Sequence, residues 1–162
     1  MRELICDTSP LQYLHQLGRL EILEDLAEQV VVPPSVVDEL ASGRAAGFDV
    51  PVADSLAWIT VRGPCATLAG RPIPTLGAGE SQVIMLALES PEGVAVLDDR
   101  VARRAALALN VKITGTLGLL LDAKRTGRIP AVGPLLDRLR KLGFRVSDRT
   151  RTLLLKQAGE TP

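Results

Sequence analysis

Acidic residues follow a predicted strand, open a predicted helix or lie on a predicted helix at four places along this chain of 162 residues. Carboxylates gathered at one site repel each other, and such a cluster persists when a cation neutralises it. Oxygen ligands of this kind suit Mg²⁺ or Mn²⁺, which activate water and neutralise phosphate charge in phosphoryl chemistry. The candidate catalytic residues are Asp7, Glu39, Glu80, Asp98 and Asp99, and the candidate metal ligands among them are Asp7, Glu80, Asp98 and Asp99.

Each acidic residue also has a purely structural interpretation. Asp7 precedes a predicted helix and is suited to cap it, and Glu39 lies on a helix where an exposed glutamate is common. Glu80 is in the first turn of a helix and gains from the helix dipole. The pair at 98–99 is harder to explain in this way, because two charges that directly follow a buried strand are costly without a partner.

The strand that precedes this acidic pair organises the predicted fold. The run 93–97 is apolar without a polar break, which is typical of a strand buried on both faces of a parallel sheet. In open α/β sheets, ligands bind just beyond the carboxyl ends of the strands. Strands alternate with helices almost throughout, which predicts an α/β fold with three α/β/α layers and a central, mainly parallel sheet.

Hydrophobic periodicity and turn residues place the remaining elements. Strands are predicted at 4–6, 30–32, 58–61, 93–97 and 111–113, with 144–146 as a candidate sixth strand. Helices are predicted at 11–17, 20–26, 36–41, 79–88, 100–109, 117–124, 130–142 and 149–156. Residues 43–57 are predicted to form a loop or a weak helical hairpin, and 62–76 a connector rich in Gly and Pro. The domain is assigned to 1–143, followed by a basic C-terminal extension, 144–162, that packs on it or trails from it.

The composition argues against several classes of protein. Aromatic residues make up 2% of the chain, too few for a base-stacking platform built on exposed rings. The single histidine excludes an HExxH zinc site, and the two cysteines fit a reduced cytoplasmic protein rather than a disulfide framework. The net charge is zero, with basic residues concentrated between Lys124 and Lys156. No apolar run is long enough to span a membrane, so we expect a cytoplasmic protein.

Four short motifs, in this order and spacing, resemble the PIN domain family. They are ICDTS at 5–9, VVDEL at 36–40, GESQVIMLA at 79–87 and LDDR at 97–100. Together with LDDRVAR at 97–103 and TGTLG at 114–118, they are similar to a prokaryotic branch of that family, the DUF3368 group. The resemblance covers residues from about 4 to 143.

The resemblance implies a metal-dependent ribonuclease fold like that of the VapC-type toxins of toxin–antitoxin pairs. The family's first acid falls on Asp7, its helix glutamate on Glu39, and its third acid, more commonly aspartate, on Glu80. Its fourth acid falls on Asp98 or Asp99. The usual Thr-x-Asp pattern favours Asp99, with leucine here in place of threonine.

Hydroxyl and basic side chains complete the predicted site. The family's small hydroxyl residue near the metal corresponds to Thr8, Ser9 or Thr116. Arg100 and Arg103 lie on the helix that leaves the acidic edge, where they face either substrate phosphates or solvent, and we assign them to substrate binding. The basic segment 124–156 has three interpretations: it holds the RNA backbone, it binds an antitoxin, or it is an exposed face.

The sequence therefore predicts a Mg²⁺- or Mn²⁺-dependent endoribonuclease, expected to be the toxin of a toxin–antitoxin pair. Its expected partners are RNA, a small antitoxin protein and a second copy of itself. The alternative is a catalytically weak or inactive PIN-like module that binds RNA or regulates, because its third and fourth motifs are altered. A signal-receiver domain fits less well, because its acidic pair follows the first strand, where this chain has Asp7 alone.

Overall fold

A parallel β-sheet forms the centre of the molecule in the computed structural model, which describes residues 2–66 and 73–162. Within these residues five strands pair in the order β3-β2-β1-β4-β5, and every pairing is parallel. Their bounds are β1 Glu3–Cys6, β2 Gln29–Val32, β3 Ile59–Val61, β4 Gly93–Val96 and β5 Lys112–Thr114. The predicted three-layer α/β/α fold with a mainly parallel sheet is confirmed.

Helices connect successive strands, as parallel pairing requires. A short 3₁₀ turn, Ala53–Ser55, precedes β3. In the described parts of the chain there are eight α-helices: α1 Thr8–Gln16, α2 Ile22–Leu26, α3 Pro34–Ala45, α4 Ala78–Glu89, α5 Arg100–Ala108, α6 Thr116–Arg125, α7 Gly133–Lys141 and α8 Asp148–Gln157. None of these helices has the length and apolar character needed to cross a membrane.

The central strands are buried because helices cover the sheet. Leu4 and Ile5 on β1, Val31 on β2, and Ala95 and Val96 on β4 are fully buried. The β-branched and aliphatic residues of these strands suit a sheet covered on its faces, and this explains their continuous apolar runs. The packed core holds the ends of β1 and β4 side by side. It therefore fixes the backbone positions of the polar residues that directly follow these two strands.

Several predicted element bounds are wrong. Helix α3 extends to Ala45, beyond the predicted end at 41, and α7 begins at Gly133 instead of at residue 130. Residues 144–146 form no strand; Phe144 instead packs edge-to-face against Tyr13, with ring centroids 4.9 Å apart. The apolar side chain of Phe144 is therefore accommodated by packing on α1, without pairing to the sheet. Part of the predicted connector, 67–72, lies outside the described residues.

The C-terminal extension packs closely against α7. Leu155 on α8 is buried, and Arg151 forms an ion pair with Asp137 on α7, with 3.0 Å between Nε and Oδ1. The Glu160 carboxylate accepts hydrogen bonds from the backbone N–H groups of Val132 and Gly133, at 2.6 and 2.9 Å. A carboxylate at a helix N-terminus satisfies otherwise unpaired amides and complements the helix dipole. Three separate contacts thus connect the extension to the body of the domain.

Candidate functional site

The sheet has a topological switch point between β1 and β4. From β1 the chain builds outward through β2 to β3, whereas β4 and β5 lie on the other side of β1. In open α/β sheets, the crevice outside the carboxyl ends of two such strands is where ligands bind. Cys6 pairs with Val96 across this boundary, so Asp7 and Asp98 follow neighbouring strand ends. The fold therefore brings two predicted site residues, 91 positions apart, to one crevice.

Asp7 is the most deeply buried of the acidic side chains in the described chain, at 5% exposure. The pKa of its carboxyl is raised from 3.8 to about 7, chiefly by burial; the negative charges of Glu80, Glu39 and Asp98 contribute to this rise, and the Thr8 backbone amide opposes it. Apart from this contact with the Thr8 amide, its carboxylate accepts no capping hydrogen bond from α1 in the described residues. The interpretation of Asp7 as a helix cap is therefore not supported. Its carboxyl instead lies among the other carboxyl groups of the site.

Glu39 and Asp7 approach each other against the backbone of Gly79. The Thr8 hydroxyl donates a hydrogen bond to Glu39 Oε2 at 2.5 Å. A methyl group built on Gly79 would lie 2.7 Å from Glu39 Oε1 and 3.2 Å from Asp7 Oδ1. Such distances are too short for an ordinary contact, so the two carboxylates occupy the space that a side chain at position 79 would fill.

We expect Gly79→Ala to reduce activity without destabilising the fold. The added methyl group would displace the end of the flexible Glu39 side chain from the cluster, whereas alanine favours the helix by up to about 1 kcal/mol. The RNA cleavage that the sequence leads us to expect should fall by roughly tenfold or more in this variant, as is typical when a supporting group of a metal site is moved. Gly43→Ala is the matched control, because its methyl group would meet Val50 at an ordinary 3.7 Å. Equal cleavage by the two variants would contradict the prediction.

Glu80 and Asp99 each use one carboxylate oxygen in a helix cap. Glu80 Oε2 accepts a hydrogen bond from the Gly77 amide at 3.1 Å, and Asp99 Oδ2 accepts one from the Ala102 amide at 2.9 Å. Burial raises the pKa of Glu80; the Gly77 amide lowers it, and the charges of Asp99 and Glu39 raise it again. Glu80 is thus electrostatically coupled to the other carboxylates while it caps α4.

Asp98 is held by Thr116 at the start of α6. The Thr116 amide donates to Asp98 Oδ1 at 2.8 Å, and the Thr116 hydroxyl donates to Oδ2 at 2.7 Å. Burial raises the pKa of Asp98, although both of these hydrogen bonds and the charge of Arg103 lower it. A methyl group on Gly115 would lie only 2.8 Å from Asp98 Oδ1, so glycine is required for this close approach. Asp98 is therefore fixed in orientation, and the buried Thr116 positions it.

The remaining predicted residues lie around this acidic cluster, by which we mean Asp7, Glu39, Glu80, Asp98 and Asp99. Thr8 is bound to Glu39, whereas Ser9, Arg100 and Arg103 line a neighbouring cleft together with Asp98 and Asp99. Arg103 also donates a hydrogen bond to the Leu97 carbonyl oxygen at 2.8 Å. The three predicted hydroxyl residues therefore differ in position: Thr8 and Thr116 donate hydrogen bonds to carboxylates, whereas Ser9 lines the cleft.

Sequence reasoning missed two kinds of residue at this site. The glycines at 79 and 115 allow close approach of carboxylates, and their only signal was a position next to an acidic or hydroxyl motif. Tyr13, Phe144 and Arg145 line the cleft beside the cluster, and no sequence motif marked them. Those three come from α1 and from the segment after α7, which only the folded chain brings together.

The chemistry of the acidic cluster fits a hard divalent cation, although no complete ligand set is formed. In the described residues, no three acidic, histidine or cysteine side chains are grouped so that they could hold a metal ion as they stand. Mg²⁺ commonly keeps several waters and uses only one or two protein carboxylates plus substrate phosphates. Oxygen-only donors, a buried Asp7 held among other carboxyls, and the close approach of Asp7 and Glu39 at Gly79 all suit such an ion.

Comparison with known families gives one match that covers nearly the whole chain. A family model described as a PIN domain, DUF3368, matches residues 3–160. Searches of curated proteins and of solved structures found no significant match. The matched range includes every element described above and extends through α8.

Proposed function

This chain belongs to the PIN domain family, and on that basis we propose that it is a Mg²⁺- or Mn²⁺-dependent endoribonuclease. PIN domains are generally nucleases and typically use divalent metals. The observation that carries the proposal is the convergence of carboxylates at the switch point, where burial and neighbouring charges raise the pKa of Asp7 to about 7. A site with this much unneutralised negative charge is suited to bind a cation together with a phosphate.

In this proposal four members of the acidic cluster share one task, and two threonines position the carboxylates. Asp7, Glu80, Asp98 and Asp99 would hold the cation, which when bound would supply activation of water and neutralisation of phosphate charge. Because a carboxylate must be deprotonated to act as a ligand, Asp7 releases its proton when the site is loaded. Thr116 keeps both Asp98 oxygens oriented, and Thr8 does the same for one oxygen of Glu39.

We also propose that the protein is the toxin of a toxin–antitoxin pair and forms a homodimer. Apart from family membership, the support is a set of exposed apolar side chains along α5 and just after it. Leu107 and Leu109 are 59% and 43% exposed, and Val101 in the first turn of the helix is 51% exposed. Large exposed apolar side chains are candidates for contact with another protein.

A second candidate function is that of a catalytically weak PIN module that binds RNA without cutting it. Two observations favour it: Glu80 and Asp99 use carboxylate oxygens to cap their own helices, and no complete ligand group exists in the described residues. A module of this kind would retain nucleic-acid affinity through its arginines. Its affinity would be independent of divalent metal.

Cleavage of a labelled RNA pool by purified protein separates the two candidates. We expect cutting with Mg²⁺ or Mn²⁺ and none in EDTA, because the proposed chemistry depends on a divalent cation bound at the acidic cluster. RNA binding without cutting in any metal would instead favour the second candidate. Cutting that persists in EDTA would contradict the metal-dependent site.

A further inference from the structure

A cleft of about 760 Å³ opens directly beside the acidic cluster and is not used by the chemistry proposed above. Asp98 and Asp99 form part of its wall, so the cleft and the cluster are continuous. Its other walls come from α1, from the turn between β5 and α6, and from the segment 143–150 after α7. Its volume lies within the range of roughly 300–1,000 Å³ that is typical of small-molecule sites.

Two arginines that line this cleft are free to bind a ligand. The side chains of Arg100 and Arg145 form no ion pair or hydrogen bond within residues 2–66 and 73–162. By contrast, Arg140 and Arg151 in the same part of the chain pair with Asp148 and Asp137. A guanidinium group matches a phosphate with two parallel hydrogen bonds. The cleft therefore has the acidic cluster at one end and, in the same lining, the guanidinium groups of Arg100 and Arg145, which have no partner in the described residues.

The cleft also holds two of the four aromatic residues in the chain. Tyr13 and Phe144 meet edge-to-face there, at an angle of 84° between ring planes. Both rings are only partly buried, so part of each remains accessible from the cleft. Aromatic side chains of this kind stack with the bases of single-stranded RNA. The low aromatic content thus does not prevent a local base-binding surface.

We propose that this cleft binds one nucleotide of single-stranded RNA next to the phosphate that lies at the acidic cluster. The base contacts Tyr13 and Phe144, and the adjoining phosphate is bound by Arg100 and Arg145. The proposal rests on the proposed function for the position of the reacting phosphate. It also gives the C-terminal extension a role in substrate binding, because Phe144 and Arg145 belong to it.

The test is fluorescence anisotropy of a labelled single-stranded RNA of 12 nucleotides, measured in EDTA so that binding is separated from cleavage. Arg145→Ala should weaken binding severalfold and reduce the slope of log affinity against log salt concentration by about 1, as loss of one phosphate contact does. Arg149→Ala is the matched control, because Arg149 is also exposed and unpaired within the described chain but does not line the cleft. Phe144→Leu keeps an apolar contact with the core and should weaken binding by about fivefold or more through loss of stacking.

The outcomes distinguish this proposal from the proposed function. Equal losses for Arg145→Ala and Arg149→Ala would overturn the nucleotide site, even if the wild-type protein cuts RNA with metal. A selective loss for Arg145→Ala would support the site, even if no cutting is found. Duplex RNA binding as tightly as single-stranded RNA would overturn it, because a paired base cannot stack on the rings. A change of oligomeric state in Phe144→Leu, with unchanged RNA affinity, would assign the cleft to protein contact and overturn it as well.

Discussion

Asp7→Asn is expected to lower metal-dependent RNA cleavage by on the order of 100-fold or more, which is typical for removal of one preorganised electrostatic group from a reacting centre. The substitution keeps the shape of the side chain but removes its negative charge. Asp7 lies at 5% exposure among Glu39, Glu80 and Asp98, so its charge is coupled to the rest of the acidic cluster. Initial cleavage rates at about pH 8 in Mn²⁺, for variant and wild type at equal concentration, measure the loss.

Two further variants make the result specific to the acidic cluster. Asp38→Asn removes the same charge from an exposed position beside Glu39 and should leave the rate unchanged. Glu39→Gln alters an exposed residue of the cluster, at little risk to folding, and should reduce the rate. If Asp7→Asn cuts as fast as wild type, the cut is made elsewhere or by a contaminant, and the proposed site is wrong.

The metal-free protein is expected to lose stability as the pH rises from about 4 to about 7. Asp7 has a pKa of about 7 in the folded state against 3.8 in the unfolded chain. Between these values the folded state retains a proton that the unfolded state has released, so the free energy of unfolding falls with rising pH. At 1.36 kcal/mol per pKa unit, Asp7 alone accounts for up to about 4 kcal/mol of this loss. The raised pKa values of Glu80 and Asp98 act in the same direction.

The comparison with Asp7→Asn isolates this effect from other titrating groups. Asp137 and Glu160 have lowered pKa values and oppose it, but they are unchanged in the variant. Urea unfolding in EDTA at several pH values should show the two proteins nearly equal near pH 4 and the variant more stable near pH 8. Added Mn²⁺ should stabilise the wild-type protein most at the higher pH. A difference between the proteins that does not change with pH would show that Asp7 titrates normally.

The order of elements was predictable because local forces determine it. The uninterrupted apolar runs of β1, β2 and β4 indicated buried parallel strands, and the carboxylates that follow β1 and β4 were identified from position alone. Element ends were less predictable. Phe144 and Val146 alternate as in a strand, but packing against Tyr13 satisfies the apolar residue without sheet pairing. An alternation of apolar and polar residues indicates that one side of the segment is buried, but it does not indicate hydrogen bonding to a neighbouring strand.

The sequence by itself determined which acidic residues follow or open elements, because side-chain types and strand ends can be read locally. Only the tertiary structure decided how those residues face one another. In the folded chain Asp7 lies beside Glu39 and does not cap its helix, and Thr116 donates hydrogen bonds to both oxygens of Asp98. One oxygen of Glu80 and one of Asp99 accept hydrogen bonds in helix caps. It also joins Tyr13 to Phe144 across 131 positions of chain. The physical reason is that burial, charge coupling and the close approach at Gly79 all depend on distances through space. Strand order and helix packing determine these distances, and the local sequence does not.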